Sequence, residues 1–215
     1  GVSRQRIARL TPSGSVDASF NSASGLSDNP QALVVQRDGK VLVGGYFSTY
    51  ADQARNRIAR INADGSLDST FSVGTGFNYS SYALHLQDDG RVVVGGDINS
   101  YNGVNLPNGL ARLNPDGALD QTLNTGSGAS SYVSALAPAP GGRLLAGGWF
   151  TSFNNTPRNR LVVINADGSV DSSFAAYDLG SDYYMEGARF ADDGRLLVWG
   201  PTAARGRVVQ HSLIM

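Results

Sequence analysis

Cysteine is absent from the 215 residues, which excludes disulfides, thiolate metal sites and a cysteine nucleophile together. Lysine and glutamate are nearly absent. Of 17 basic residues only Lys40 is lysine, and of 18 acidic residues only Glu186 is glutamate. Both are good helix formers, whereas aspartate suits turns, so their scarcity points to an all-β, loop-rich chain. It also runs against a hyperthermophilic composition. No apolar run approaches the ~18 residues that a membrane span needs, so no membrane insertion is expected. The formal net charge of −1 supplies no global field to draw nucleic acid. Only two histidines occur, His85 and His211, and no H-E-x-x-H, G-x-S-x-G, Walker loop or strand-linked G-x-G-x-x-G is present. No catalytic residue, cofactor or metal site is therefore expected.

What is present is a repeat. Val41-Leu42-Val43-Gly44-Gly45 returns as Val92-Val93-Val94-Gly95-Gly96, as Leu144-Leu145-Ala146-Gly147-Gly148 and, altered, as Leu196-Leu197-Val198-Trp199-Gly200. The steps are 51, 52 and 52 residues. A two-residue turn precedes each copy: Asp38-Gly39, Asp89-Gly90, Gly141-Gly142 and Asp193-Gly194. A short apolar run follows: Ile58–Ile61, Leu110–Leu113, Leu161–Ile164, with Ile7–Leu10 opening the chain. Each of these runs leads to a further turn at Ser13-Gly14, Asp64-Gly65, Asp116-Gly117 or Asp167-Gly168. Then come Asp17, Asp68, Asp120 and Asp171, and three residues later Phe20, Phe71, Leu123 and Phe174.

Asp-Gly between two short apolar runs predicts β-hairpins with type I′ turns. Val41-Leu42-Val43 is continuously apolar, so this strand should be buried on both faces. In the run before it, Ala32, Ala83, Ala135 and Gly187 share one position that is always small. That suggests crowding, as where inner strands converge on an axis. The next position but one holds Val34, His85, Ala137 and Arg189, so His85 is expected to face solvent. One unit is then four short antiparallel strands in 51–52 residues. Such units packed face to face make a β-propeller. A linear β-solenoid is the alternative, but its rungs are shorter and lack two hairpins per unit. The expected organisation is one repeat domain, 1–215, with units at about 1–30 (partial), 31–81, 82–131, 132–183 and 184–215 (partial). It stands alone or as part of a larger propeller or assembly.

The pattern D-G-K-x-L-V-G-G followed by R-N-R-I-A-R-I-N-A-D-G-S-L-D-x-x-F over residues 38–71 resembles the bacterial delta-60 repeat. The resemblance extends in successive copies over nearly the whole chain. It implies a β-propeller of unknown function in large secreted or surface-attached bacterial proteins, and no activity. The double-glycine strand is also similar to kelch repeats, but the downstream Tyr and Trp of kelch units are not in phase here. The chain opens in mid-repeat, since Arg4-Gln5-Arg6-Ile7 aligns with Arg55-Asn56-Arg57-Ile58. That is expected of a piece of a longer protein whose export signal lies elsewhere.

Two recurring sets could carry chemistry. Asn62–Asp68 is rich in oxygen but too short for an EF-hand-like calcium loop, so Asp64 is read as a turn residue and Asp68 as an acceptor for backbone N–H groups. Arg55, Arg57 and Arg60 could form a basic stripe, but pairing with Asp64 and Asp68 is favoured. Residues that build the fold should recur, so ligand binding is sought where copies differ. Directly after the double glycine stand Tyr46, Asp97, Trp149 and Pro201. Tyr46, Asp97 and Trp149 are the candidate ligand-binding residues, while Phe47, Phe150 and Phe153 are expected to pack between blades. The functional expectation is a non-enzymatic extracellular or cell-surface module, structural or adhesive, with protein partners or self-association. A carbohydrate-binding propeller contacting glycan is the alternative, and a hydrolase or lyase on a propeller scaffold the third reading.

Overall fold

A computed structural model describes residues 5–174, 185–200 and 211–213. The expectations for Arg4 and Pro201 fall outside the described residues. The first blade holds β1 (Pro30–Val35), β2 (Val41–Gly45), β3 (Thr49–Tyr50), β4 (Gln53–Ala54) and β5 (Ile58–Ile61). The second holds β6 (Ser81–Leu86), β7 (Val92–Gly96), β8 (Ser100–Tyr101), β9 (Val104–Asn105) and β10 (Leu110–Leu113). The third holds β11 (Val133–Ala139), β12 (Arg143–Gly148), β13 (Ser152–Phe153), β14 (Thr156–Pro157) and β15 (Leu161–Ile164). The fourth holds β16 (Gly187–Phe190), β17 (Leu196–Trp199) and β18 (His211–Leu213). The helical content of the described residues is one 3₁₀ turn, Pro140–Gly142, and no helix is long and apolar enough to cross a membrane.

Every blade is an antiparallel meander, β1-β2-β5 in the first and the same order in the others. The fourth element of a blade is held by a single antiparallel pair: Ile61 with Leu67, Leu113 with Leu119, Ile164 with Val170. Residues 7–20 repeat that outer part, with Leu10 paired to Val16, and they pack on the first blade through Ile7 and Phe20, together with the following Leu26. The small hairpins, such as β3–β4, turn Tyr50, Tyr101 and Phe153 inward, all buried. The two phenols donate to the carbonyls of Gly65 (2.5 Å) and Gly117 (2.6 Å). Phe47, Phe150 and Phe153 are buried as expected.

The Asp-Gly turns differ from expectation. In Gln36–Lys40 the Gly39 N–H bonds the Gln36 carbonyl and the Gln36 N–H the Lys40 carbonyl, and only Gly39 has positive φ (+81°). This is a type I turn followed by a left-handed glycine, a three-residue loop rather than type I′. The Asp38 carboxylate stabilises it by accepting from the Lys40 N–H, and Asp64, Asp89 and Asp116 do the same in their turns. Positive φ at two successive residues occurs at Gly141-Gly142, the copy that lacks the aspartate.

Inner strands β1, β6, β11 and β16 pack in sequence, blade against blade. The double glycine serves two separate contacts. A side chain on Gly44 would sit 3.1 Å from the Ser81 Cβ of the next blade, and one on Gly95 2.9 Å from a Val133 methyl. A side chain on Gly45, Gly96 or Gly148 would run into a carbonyl of its own blade, that of Asn29, Ser80 or Tyr132. The first glycine therefore sets the spacing between blades, and the second admits the chain at the start of the inner strand.

Candidate functional site

That admission has a consequence for side-chain direction. The ladder between β1 and β2 shifts register between Pro30 and Ala32, so Gln31 is bulged. The same shift occurs at Tyr82 in β6 and Ser134 in β11. A β-bulge re-aims a side chain, and it does so here at equivalent positions of adjacent inner strands. Glu186, just before β16, takes the corresponding place, its N–H bonded to the Trp199 carbonyl. These four residues, with Tyr46 and Tyr132, line a cavity of about 410 Å³ at one end of the inner-strand bundle.

Three of its six lining residues are tyrosines, and all six carry a polar group. Tyr46 and Tyr82 stand 5.9 Å apart, and Tyr82 and Tyr132 5.6 Å apart, the second pair edge-on. Burial pushes the Tyr82 phenol up to about 12, helped by its hydrogen bond to Tyr46 and by the negative charge of Asp97, with Ser80 opposing. Tyr82 is therefore a neutral donor throughout the physiological range. The Ser134 hydroxyl donates to the Met185 carbonyl at 2.5 Å. Glu186 is the one carboxylate among the lining residues, and it is exposed to the cavity.

Of the three residues singled out from the sequence, Tyr46 lines this cavity and is about 39% exposed. Asp97 is exposed and reaches the site through its charge on Tyr82. Trp149, 38% exposed, lies outside the lining and stacks against Arg160, whose guanidinium carbon is 4.3 Å from the ring centroid. Arg57 and Arg160 stand behind this face in the left-handed region, φ +67°, donating to the carbonyls of Tyr46 and Trp149. Among the described residues Arg57 does not pair with aspartate as expected. That role belongs to Arg60 and Arg112, which bond Asp68 at 2.7 Å and Asp120 at 2.6 Å and are buried. His85, expected to face solvent, is half-buried, and that burial pushes its pKa down.

Gln31, Tyr82, Ser134 and Glu186 were not among the sequence candidates. Their signal was available: the position before the invariably small one differs in every copy. What the sequence did not reveal is the bulge that turns that position toward a shared cavity.

Among the described residues no group of three or more His, Asp or Glu side chains is placed to hold a metal ion. In the Asn62–Asp68 segment the Asp64 Oδ1 already accepts from the Ser66 N–H (2.9 Å) and hydroxyl (2.7 Å). Asp68 Oδ1 likewise accepts from Thr70. These oxygens hold turns, so EDTA is expected to leave the melting temperature unchanged. A drop of several degrees, reversed by calcium, would identify ligand loops, since a bound ion stabilises the native state by mass action.

The blade pattern matches a family described as "Domain of unknown function (DUF5122) beta-propeller" over residues 1–20, 36–71, 87–123 and 140–174. The chain belongs to this family. The resemblance to delta-60 repeats and the propeller fold both stand. No curated protein matches the chain. Among solved structures it is similar to the WD40 propeller domain of Doa1, at 17% identity and TM-score 0.55, covering 80% of this chain and 48% of that one. It is similar to a gluconolactonase from Xanthomonas campestris, at 16% identity and TM-score 0.54, covering 97% and 68%. A streptogramin B lyase structure follows at 17% identity and TM-score 0.50, covering 86% and 54%. The chain thus spans about half the length of the Doa1 domain and of the lyase. These likenesses establish the fold. They also correct the expectation of a non-enzymatic structural or adhesive module, because solved propellers of this shape include a lactonase and a lyase.

Proposed function

We propose that the chain forms part of a propeller hydrolase or lyase that acts in the cavity at the start of the inner strands. One observation carries the reading. Four blades place four different side chains, Gln31, Tyr82, Ser134 and Glu186, at one equivalent position around one cavity, bulged in the first three, while the residue after each stays small. A scaffold has no use for that asymmetry, whereas a site that must hold unlike groups against one ligand needs it.

The groups suit a hydroxylated ring such as a sugar lactone, the substrate class named for the Xanthomonas campestris relative. Tyrosine rings offer faces on which a sugar ring stacks. Glu186 takes the proton from a water attacking the carbonyl and returns it to the leaving oxygen. The neutral Tyr82 hydroxyl and the Gln31 amide donate to the oxygen where negative charge develops. An extracellular or cell-surface setting belongs to this proposal and rests on the delta-60 resemblance alone.

The test is hydrolysis of glucono-1,5-lactone followed by pH-stat, with other lactones and glycosides in parallel. Glu186→Gln is expected to lower the rate by at least about a hundredfold, as loss of a general base does, with an unchanged melting temperature. No acceleration over background by the parent protein, or full activity in Glu186→Gln, would overturn the reading.

A further inference from the structure

Outside the axial cavity the blades repeat one device closely, and one blade leaves it incomplete. In the first blade the Arg60 guanidinium is fixed by its edges: Nε to Asp68 (2.7 Å), Nη2 to Thr70 (3.1 Å) and Nη1 to the Pro115 carbonyl of the next blade (2.5 Å). Its flat face lies over the Phe71 ring, 4.7 Å from the centroid. Residues 5–26 do the same with Arg9 over Phe20 at 5.3 Å.

In the second blade Arg112 is held identically, by Asp120 (2.6 Å), Thr122 (3.0 Å) and the Ala166 carbonyl (2.7 Å). The ring beneath it is missing, because Leu123 stands where Phe71 and Phe20 stand. Two neighbouring positions change with it: Thr125 replaces Val73, and Pro107 replaces Arg55. Together these residues border a cavity of about 300 Å³, lined also by Leu106, Leu119 and Arg112. The floor is apolar, the roof is a buried guanidinium with each nitrogen hydrogen-bonded, and Thr125 adds one hydroxyl to the wall.

We propose that this cavity binds a small aromatic molecule carrying one hydroxyl, its ring seated under Arg112 where the other copies place phenylalanine. A guanidinium whose edges are used still attracts a π face, and the attraction is larger in a desolvated site. The cavity is roomier than a single phenyl ring requires, so a substituted ring is accommodated. The inference is independent of the axial site, and its test does not involve turnover.

The probe is 4-fluorophenol, titrated into the protein and observed by ¹⁹F line broadening. Binding is expected in the millimolar range or tighter, with fluorobenzene and cyclohexanol each weaker, the first for want of the hydroxyl and the second for want of the π face. Leu123→Phe restores the internal ring. It should weaken 4-fluorophenol binding at least about tenfold, the scale of one desolvated cation–π contact, and raise the melting temperature. Thr125→Val, which leaves the cavity in place, should abolish the preference for 4-fluorophenol over fluorobenzene. No binding at several millimolar, equal binding of cyclohexanol, or undiminished binding by folded Leu123→Phe would overturn the proposal. Should Leu123→Phe not fold, the Thr125→Val comparison decides.

Discussion

Replacing Asp68 by alanine is expected to destabilise the protein by about 3–5 kcal/mol, the range for removing one partner of a buried ion pair. Asp68 is 3% exposed, and its Oδ2 holds both Arg60 (2.7 Å) and Lys40 (2.9 Å). Without it a buried guanidinium keeps only its hydrogen bonds to Thr70 and the Pro115 carbonyl. The third blade supplies an internal control. Val163 stands there in place of the arginine, and Asp171 bonds Ser173 and the more exposed Arg143. Asp171→Ala should therefore cost less, about 1.5–3 kcal/mol, the range for loss of hydrogen bonds to a charged group. Urea midpoints measure both. Equal losses in the two variants would show that Arg60 does not depend on its carboxylate.

The same pair sets a pH dependence. Burial opposes ionisation of Asp68, but the bonds from Thr70, Lys40 and Arg60 outweigh it and hold the carboxyl well below the usual carboxylate range. Asp120 behaves alike, through Thr122, Arg91 and Arg112. A folded pKa below the unfolded value of about 3.9 means that the unfolded chain binds the proton first. The stabilisation is complete above that value and is lost as pH falls below it. The stability gap between parent and Asp68→Ala should thus be constant from pH 7 to 5 and narrow on acidification toward pH 2. A gap that widened in acid would contradict the sign.

Phe71→Ala carries a comparable expected loss, about 3–5 kcal/mol for truncating a buried aromatic. Phe71 is 1% exposed, packs in the core shared by the first two blades, and supports the face of Arg60. Because Arg60 joins the two sites, Phe71→Ala and Asp68→Ala should not add: once the guanidinium is released, its second contact is already lost. Leu123→Ala, at the position where the second blade has dispensed with the ring, should cost less. An unchanged midpoint for Phe71→Ala would show that the residue does not pack as the blade contacts require.

How much of this was legible beforehand follows from what a repeat reveals. Strand identity, the order of turns, the need for glycine and the buried Phe71 column could all be read by stacking copies, because each depends on local pattern and recurs. The type I′ expectation failed because Asp-Gly satisfies two loop geometries. The Asp38 carboxylate tips the choice by bonding the N–H two residues on. Arg57 and Arg60 look alike in sequence, three residues apart. Only the fold separates them: positive φ sends Arg57 to the Tyr46 carbonyl, while the strand sends Arg60 inward to Asp68.

By itself the sequence determined the all-β blade and its period, since hydrophobic alternation and turn chemistry act within a few residues. Tertiary structure alone decided which unlike positions meet. Gln31, Tyr82, Ser134 and Glu186 lie about fifty residues apart from one to the next. They share a cavity because a bulge, admitted by the second glycine, rotates Gln31, Tyr82 and Ser134 toward it, and because the first glycine of those blades lets them close up against their neighbours. The vacancy beneath Arg112 has the same origin. Leu123 in place of phenylalanine is a mild change in a string of letters, and it becomes a cavity only when a guanidinium is fixed above it by the neighbouring blade.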